Sequence, residues 1–372
     1  MTVRPAEVFP PGEFLREELE ARGWSQADFA DILGRPPRLI NEIIAGKRRI
    51  SPETANGIAA ALDTTPEFWL NLEAAYQLGR LKNRDSDTVS RRAKLYGYAP
   101  VKEMVRRGWI EPSDSVAVLE QQVFDFFEIA SFDEELVFFF AARKSTSYDD
   151  ALTPGQKAWL ARAKKMARAV SVGPYSVEKL DAAITQLQGL LHVPQEIRHV
   201  PRVLADAGVK FVILEALANT RIDGACLWVD EMPVIAMSLR YDRIDCFWFT
   251  LMHELAHLLA NDGRLDVDLE AHRDEGEKPE SERRADQFAG EHLVPKQKLD
   301  GFIARVRPLY SATRIEAFAQ TVGVHPGIVV GQLQHRGEVA WANFRRTLVP
   351  IREFITGAAL TDGWDSRLRA QL

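Results

Sequence analysis

From Pro11 to Asp63, apolar residues return at helical spacing in four successive segments, with Gly23, Gly34 and Gly46 at the breaks. That rhythm predicts four short helices. Ser25 can cap the second, and Ser51 followed by Pro52 can open the fourth. The stretch "LGRPP" supplies the bend of a helix-turn-helix, whose third helix would run from about Pro36 to Ala45. A polar break, "KNRDSDTVSRR", then reads as a linker or the opening of a new helix. From about residue 90 to 188, "PVKEMVRRGW" and "GQKAWLARAKKMARAV" keep the helical period around one short apolar run, "ELVFFFAAR", which reads as a buried strand. Beyond residue 189 the pattern changes. "VKFVILEAL" and "ACLWVDEMPVIAMSL" read as strands, the second a pair joined at Asp230 and Glu231, and a strong helix covers Cys246 to Ala260. A further helix, opened by Pro279, stops before Pro295, and two short ones surround "TVGVHP" between 311 and 336. The expected architecture is multidomain: an all-α helix-turn-helix domain over 1–82, a helical middle or connecting region over 83–188, and an α+β domain with a helical C-terminus over 189–372.

Composition changes this picture little. The chain has 372 residues, 46% of them hydrophobic and 27% charged, enough to bury a core in each of two or three domains. A net charge of −6 means that no global basic field advertises nucleic acid, so such a partner must be read from local patches. Two cysteines, Cys226 and Cys246, exclude a disulfide framework and fit a reducing compartment. The opening "MTVRPAEVFPPGEF" has no apolar signal region, and no run reaches the ~18 apolar residues of a membrane span, so the expected location is cytoplasmic, with no membrane partner.

Local charge does point to DNA. Gly34 to Arg49 holds five basic residues against one acid, Glu42, although residues 1–82 carry ten basic and twelve acidic. Arg35, Arg38 and Asn41 point away from Leu39, Ile40, Ile43 and Ile44, and their side chains suit the edges of guanine and adenine. Lys47, Arg48 and Arg49 follow at the helix end, where backbone phosphates would lie. The competing reading is a helical bundle for protein contacts with a solvated loop at 47–49. The segment from Pro11 to Leu81 resembles the Cro and lambda repressor class of helix-turn-helix, and within it the HigA type of antidote, down to "SPE" and "TTPEFWLNLEAAYQL". The resemblance implies a transcriptional regulator that binds double-stranded operator DNA, usually as a homodimer and often beside a toxin gene. Pro36 and Pro37 at the start of the reading helix depart from the pattern. In the middle region, Arg80 to Arg107 carries nine basic residues against three acids, read as a solvated helical face rather than further DNA contact. Trp109 and Trp159 there read as core.

The stretch "FTLMHELAHLLA" carries His253, Glu254 and His257 as HExxH. Histidines four apart on a helix lie on one face and can converge on one metal ion, while Glu254, one position on, would reach a water on that metal. That layout suits hydrolysis, in which zinc lowers the pKa of the water and the carboxylate takes its proton. The alternative is a core helix with two incidental histidines, and HExxH arises by chance in roughly one such chain per hundred. Glu275, Glu280, Glu282 and Glu291 could each supply a third ligand. Spacing favours Glu282, because Glu282, Ala285, Asp286, Ala289 and Leu293 share a helical face whose alanines permit close approach. Asp286, one turn on, could orient a ligating imidazole. His292 is close enough in sequence to be considered as a transition-state stabiliser.

"FWFTLMHELAHLL" and "ESERRADQFAGEHLVP", with "DGACLWVDEMPVIAMSLR" before them, resemble the ImmA/IrrE metallopeptidases over roughly 190–340. The resemblance implies a zincin-like domain in which His253, His257 and Glu282 bind Zn2+ and Glu254 is catalytic. It also implies a protein substrate, typically a helix-turn-helix repressor whose cleavage relieves repression. "PVIAMS" is the candidate strand for holding an extended peptide. The rival is a non-enzymatic antitoxin or repressor with a structural or sensory metal and a cognate toxin as partner.

Overall fold

A computed structural model describes residues 9–80, 83–134, 152–260, 265–269 and 280–363, of which 83–86 and 265–269 by backbone alone. The expected strand at "ELVFFFAAR" lies outside these residues. The chain forms two compact units, Met1–Arg91 and Arg92–Leu372.

The first unit contains α1 (Pro11–Arg22), α2 (Gln26–Ile32), α3 (Pro37–Ile44), α4 (Pro52–Leu62) and α5 (Pro66–Arg80). Ser25 closes a capping box with Asp28 at the start of α2, and Ser51 accepts from the Thr54 amide at the start of α4. The two prolines before the reading helix are accommodated, since Pro36 is the extended N-cap and Pro37 the first helical residue, whose missing N–H would have had no helical partner. Leu15, Phe29, Ile40, Ile58 and Trp69 form the core. Gly12 brings α1 against α3, for a Cβ there would stand 2.3 Å from the carbonyl oxygen of Ile43.

The division between the units falls inside α6 (Asn83–Tyr98), so the polar stretch "KNRDSDTVSRR" is helical from Asn83 onward. The second unit continues with α7 (Val101–Arg106), α8 (Val116–Phe127), α9 (Pro154–Arg168), α10 (Val177–Gln188) and α11 (Val200–Asp206). Strands β1 (Lys210–Leu214), β2 (Ile222–Val229) and β3 (Met232–Met237) follow, then α12 (Ile244–Ala260), β4 (Leu265–Leu269) and α13 (Glu280–Leu293). The order closes with α14 (Lys296–Val306), α15 (Ala312–Val322), α16 (Pro326–His335), α17 (Arg352–Ile355) and β5 (Leu360–Asp362). The sheet is mixed, in the order β4-β2-β3-β1-β5, with β1 parallel to both β3 and β5, and β2 antiparallel to both β3 and β4. Asp230 and Glu231 make the β2–β3 turn, both at positive φ.

Alternate residues of the strands enter different cores. Phe211, Ile213, Cys226, Ile235 and Met237 pack with α10 to α16, while Val212, Leu214, Ala225, Leu227, Val234 and Ala236 pack with α8 and α9. A sheet covered on both faces reads as a continuous apolar run, which explains the strand sequences. Of residues 83–188, expected as a middle or connecting region, the described residues from Leu95 through α9 therefore contribute one of the two layers over the sheet and α10 joins the other, and Trp159 donates from Nε1 to the Leu214 carbonyl of β1 at 3.0 Å. Their basic residues are largely engaged: Arg107 with Glu103 and the Glu215 and Ala216 carbonyls, Arg162 with Asp362, and Lys164 and Arg168 with Glu128. "PVIAMS" is corrected by the sheet order. It forms β3, paired on both sides, and so has no free edge for a peptide. Among the described residues no helix is long and apolar enough to cross a membrane.

The approach of α1 to α3 is testable. Gly12→Ala should lower the stability of the first unit by about 1 to 3 kcal/mol in denaturant titrations of the full chain, because the backbone atoms it meets cannot turn aside. A curve superimposable on the parent chain's would contradict that approach.

Candidate metal centre and nucleic-acid interface

Helix α12 is buried nearly all round, from Ile244 to Leu258 with few exceptions, and carries its three ionisable motif residues into that burial: His253 at 1%, Glu254 at 0% and His257 at 2% exposure. Charged or hydrogen-bonding groups so placed require partners. For the two histidines they come from α13, whose Ala285 and Ala289 are themselves buried and small enough to bring the two helices together. Glu282 presents Oε2 at 3.3 Å to His253 Nε2 and Oε1 at 3.3 Å to His257 Nε2, and the two Nε2 atoms are 3.1 Å apart. Asp286 meets the other nitrogen of His253, Nδ1, at 3.1 Å. A carboxylate only accepts, so Nδ1 carries a proton, and Nε2 is the nitrogen turned to the convergence. Burial pushes the Glu282 carboxyl up, but hydrogen bonds and charge from both histidines outweigh it and hold it well below the usual range.

His253, His257 and Glu282 each offer one donor atom within 4.8 Å of the others. Two imidazole nitrogens and a carboxylate oxygen are a donor set that suits zinc, with three protein ligands and no fourth among the described residues. Glu254, next to His253 on α12, lies under β2, since a Cβ on Gly224 would stand 2.8 Å from its Oε1 and 2.6 Å from Thr250 Cγ2. Gly224 is invisible to motif reading, because its function depends on a contact thirty positions away in the chain and on having no side chain. Phe249, one turn before His253, stacks loosely between it and His335, with ring centroids at 6.3 and 6.2 Å.

His292 is placed elsewhere. It stacks on Phe288 with centroids 3.7 Å apart and bonds the Phe288 carbonyl, ten residues or about 15 Å of helix beyond Glu282. Glu275 lies outside the described residues, Glu280 is exposed at the first turn of α13, and Glu291 accepts from the Lys296 amide. Burial and the neighbouring Asp245 carboxylate push the Cys246 thiol up to about 12, so it offers no thiolate nucleophile.

In the first unit Arg35, Arg38, Asn41, Lys47, Arg48 and Arg49 are all exposed, Arg35 in the turn before α3 and the others on α3 and the loop after it. Two of the expected base readers already hold a carboxylate: Arg35 pairs with Glu53, and Arg38 with Glu42 at 2.7 Å. Glu42 also reaches Arg48 at 3.4 Å, so the single acid of this stretch spans the reading helix and its loop.

Residues 15–69 match the family profile described as helix-turn-helix, and residues 206–332 match that of the M78 peptidases, described as an IrrE N-terminal-like domain. An HTH-type transcriptional regulator of Haemophilus influenzae is 39% identical over 84 residues, 22% of this chain and 76% of that one. Antitoxin HigA-1 of Vibrio cholerae is 38% identical over 82 residues, 22% of this chain and 74% of its own. Among solved structures, the Pseudomonas aeruginosa antitoxin HigA with the higBA promoter is 30% identical and covers 22% of this chain and 91% of that one, with a TM-score of 0.21.

The hydrogen bond from His253 to Asp286 can be tested directly. Asp286→Ala should redistribute the His253 proton from Nδ1 toward Nε2 in nitrogen NMR and lower stability by about 1 to 3 kcal/mol, the effect of leaving a buried donor without its acceptor. An unchanged tautomer would mean that Asp286 does not orient the ring.

Proposed function

From the premise that the chain belongs to the helix-turn-helix family of transcriptional regulators and carries an IrrE N-terminal-like peptidase domain, we propose an operator-binding regulator whose second unit is a zinc-dependent endopeptidase. What carries the reading is the convergence of His253, His257 and Glu282 beside a fully buried Glu254. His253, His257 and Glu282 would hold Zn2+, which when bound supplies Lewis acidity to water and to the scissile carbonyl. Glu254 takes the proton of the attacking water and passes it to the leaving amine. Asp286 keeps the His253 ring aimed, and Gly224 lets β2 close over Glu254 so that its carboxylate is held out of bulk solvent. A purely structural zinc prefers four protein ligands, and three with an open position favour catalysis. The substrate is a protein, either a repressor-type partner or this chain itself, and cleavage alters transcription.

In the first unit, Arg35, Arg38 and Asn41 read base edges and Lys47, Arg48 and Arg49 hold phosphates, on a homodimer bound to double-stranded operator DNA. Arg35 and Arg38 must release Glu53 and Glu42 to do so, which discriminates against duplexes that offer them no better acceptor. A second reading draws support from the 38% identity to an antitoxin: the chain neutralises a cognate toxin and represses transcription, and its metal is structural or sensory.

Two measurements separate these. Glu254→Gln should retain stoichiometric zinc by elemental analysis while abolishing cleavage of an identified partner. Zinc loss in that variant would contradict the assignment of Glu254 as base, and unchanged cleavage would remove the peptidase reading. On the DNA side, Arg38→Ala and Asn41→Ala should each weaken binding to the operator relative to unrelated duplex by about 1 to 3 kcal/mol. Equal loss on every sequence would place both side chains on phosphates.

A further inference from the structure

Beside the reading helix, a cleft of about 170 Å³ opens between the N-terminus of α1, the loop after α3 and the last turns of α5. Lys47, Arg48, Arg49, Tyr76 and Arg80 line it, with Glu73 as its one carboxylate. Both oxygens of Glu73 serve the fold, for Oε2 accepts from the Ile50 amide at 3.1 Å and Oε1 from Gln77 Nε2 at 2.8 Å. Arg48 leans toward Glu42, whereas Lys47, Arg49 and Arg80 have no carboxylate partner among the described residues. The loop is fixed. The amides of Lys47 and Arg48 both donate to the Glu42 carbonyl, and Gly46, at φ +65°, sits where a Cβ would be 3.9 Å from the Tyr76 hydroxyl. Arg80 folds over the Tyr76 ring, its guanidinium carbon 5.4 Å from the ring centre. Four cations, three of them without a carboxylate partner among the described residues, and a hydroxyl therefore line one cleft in a chain of net charge −6, and the carboxylate beside them is held by the Ile50 amide and Gln77.

We infer that this cleft seats a backbone phosphate of DNA, and that Tyr76 and Arg80 of α5 belong to the DNA-binding surface. The inference rests on the operator-binding reading above and extends it to a helix outside the helix-turn-helix. A phosphodiester is the acceptor that fits: it carries a full negative charge in a compact group, accepts from several donors at once, and occurs at fixed spacing beside a groove that α3 would enter. Such a contact fixes register without reading sequence. It works equally on any duplex.

The test uses the full chain and a labelled duplex of about 30 base pairs of arbitrary sequence, titrated across a salt series. Arg80→Gln should weaken binding and reduce the slope of log affinity against log salt by about 0.9, the contribution of one neutralised phosphate. Tyr76→Phe should weaken binding about three- to ten-fold at an unchanged slope, since it removes a hydrogen bond and no charge. Arg16→Gln, a loss of equal charge at an exposed residue of α1 that does not line the cleft, should leave the slope as it was. Equal slopes for Arg80→Gln and the parent chain would overturn the inference, as would equal slope losses for Arg80→Gln and Arg16→Gln, which would indicate net charge alone. Stabilisation of the parent chain by inorganic phosphate beyond chloride of the same ionic strength, with the DNA slope unmoved in Arg80→Gln, would assign the cleft to a small anion and overturn the DNA assignment. A parent chain that binds no duplex at low salt would instead remove the operator-binding reading itself.

Discussion

Burying α12 is the constraint from which the second unit follows. Thirteen of its residues are buried, and three of them are His253, Glu254 and His257, so polar groups that water would normally satisfy must be satisfied by protein. For the two imidazoles, α13 answers that requirement. Helix α13 comes close because Ala285 and Ala289 let it, Glu282 and Asp286 then lie at hydrogen-bonding distance from the imidazoles, and β2 crosses Glu254 at a glycine. Such an arrangement holds its side chains in one geometry, which is what a metal-binding set needs before an ion arrives.

The sheet holds that helix in place by being covered twice. One face carries α12 and its partners and the other carries α8 and α9, so the strands cannot tilt without disturbing both cores. Arg107 and Trp109 reach the same edge, bonding the Glu215 and Ala216 carbonyls and the Asp362 carboxylate. Residues with no catalytic motif thus cover the far face of the sheet that supports α12.

Much of this was legible in the sequence. The helical period, the serine caps and the shared face of Glu282 and Asp286 are local patterns, and local patterns survive folding intact. What depends on distant pairing was not legible. The order of strands, the position of β5 and the approach of Gly224 to Glu254 join residues far apart in sequence. The apolar run "PVIAMS" says only that both faces of its strand are covered, and nothing about which neighbours pair with it, so its suitability for holding a peptide could not be decided from sequence. In the first unit, the outward positions of Arg35, Arg38 and Asn41 followed from periodicity, whereas the ion pairs to Glu53 and Glu42 did not. Arg80 was counted with the basic stretch that follows it, although its surroundings belong to the loop after α3.

Helix α16 packs on α12 through Gly327 and Gly331, where a Cβ would stand 2.8 Å from Ile244 Cγ2 and 2.5 Å from Asp245 Oδ2. The motif residues and these glycines therefore tolerate substitution differently. A donor can be exchanged for another donor of similar reach, as aspartate for glutamate, and some chemistry can persist. Nothing is smaller than glycine with a side chain, so these positions admit no graded substitution. A methyl group at either position would push α16 away from the start of α12, the helix that aims the two histidines.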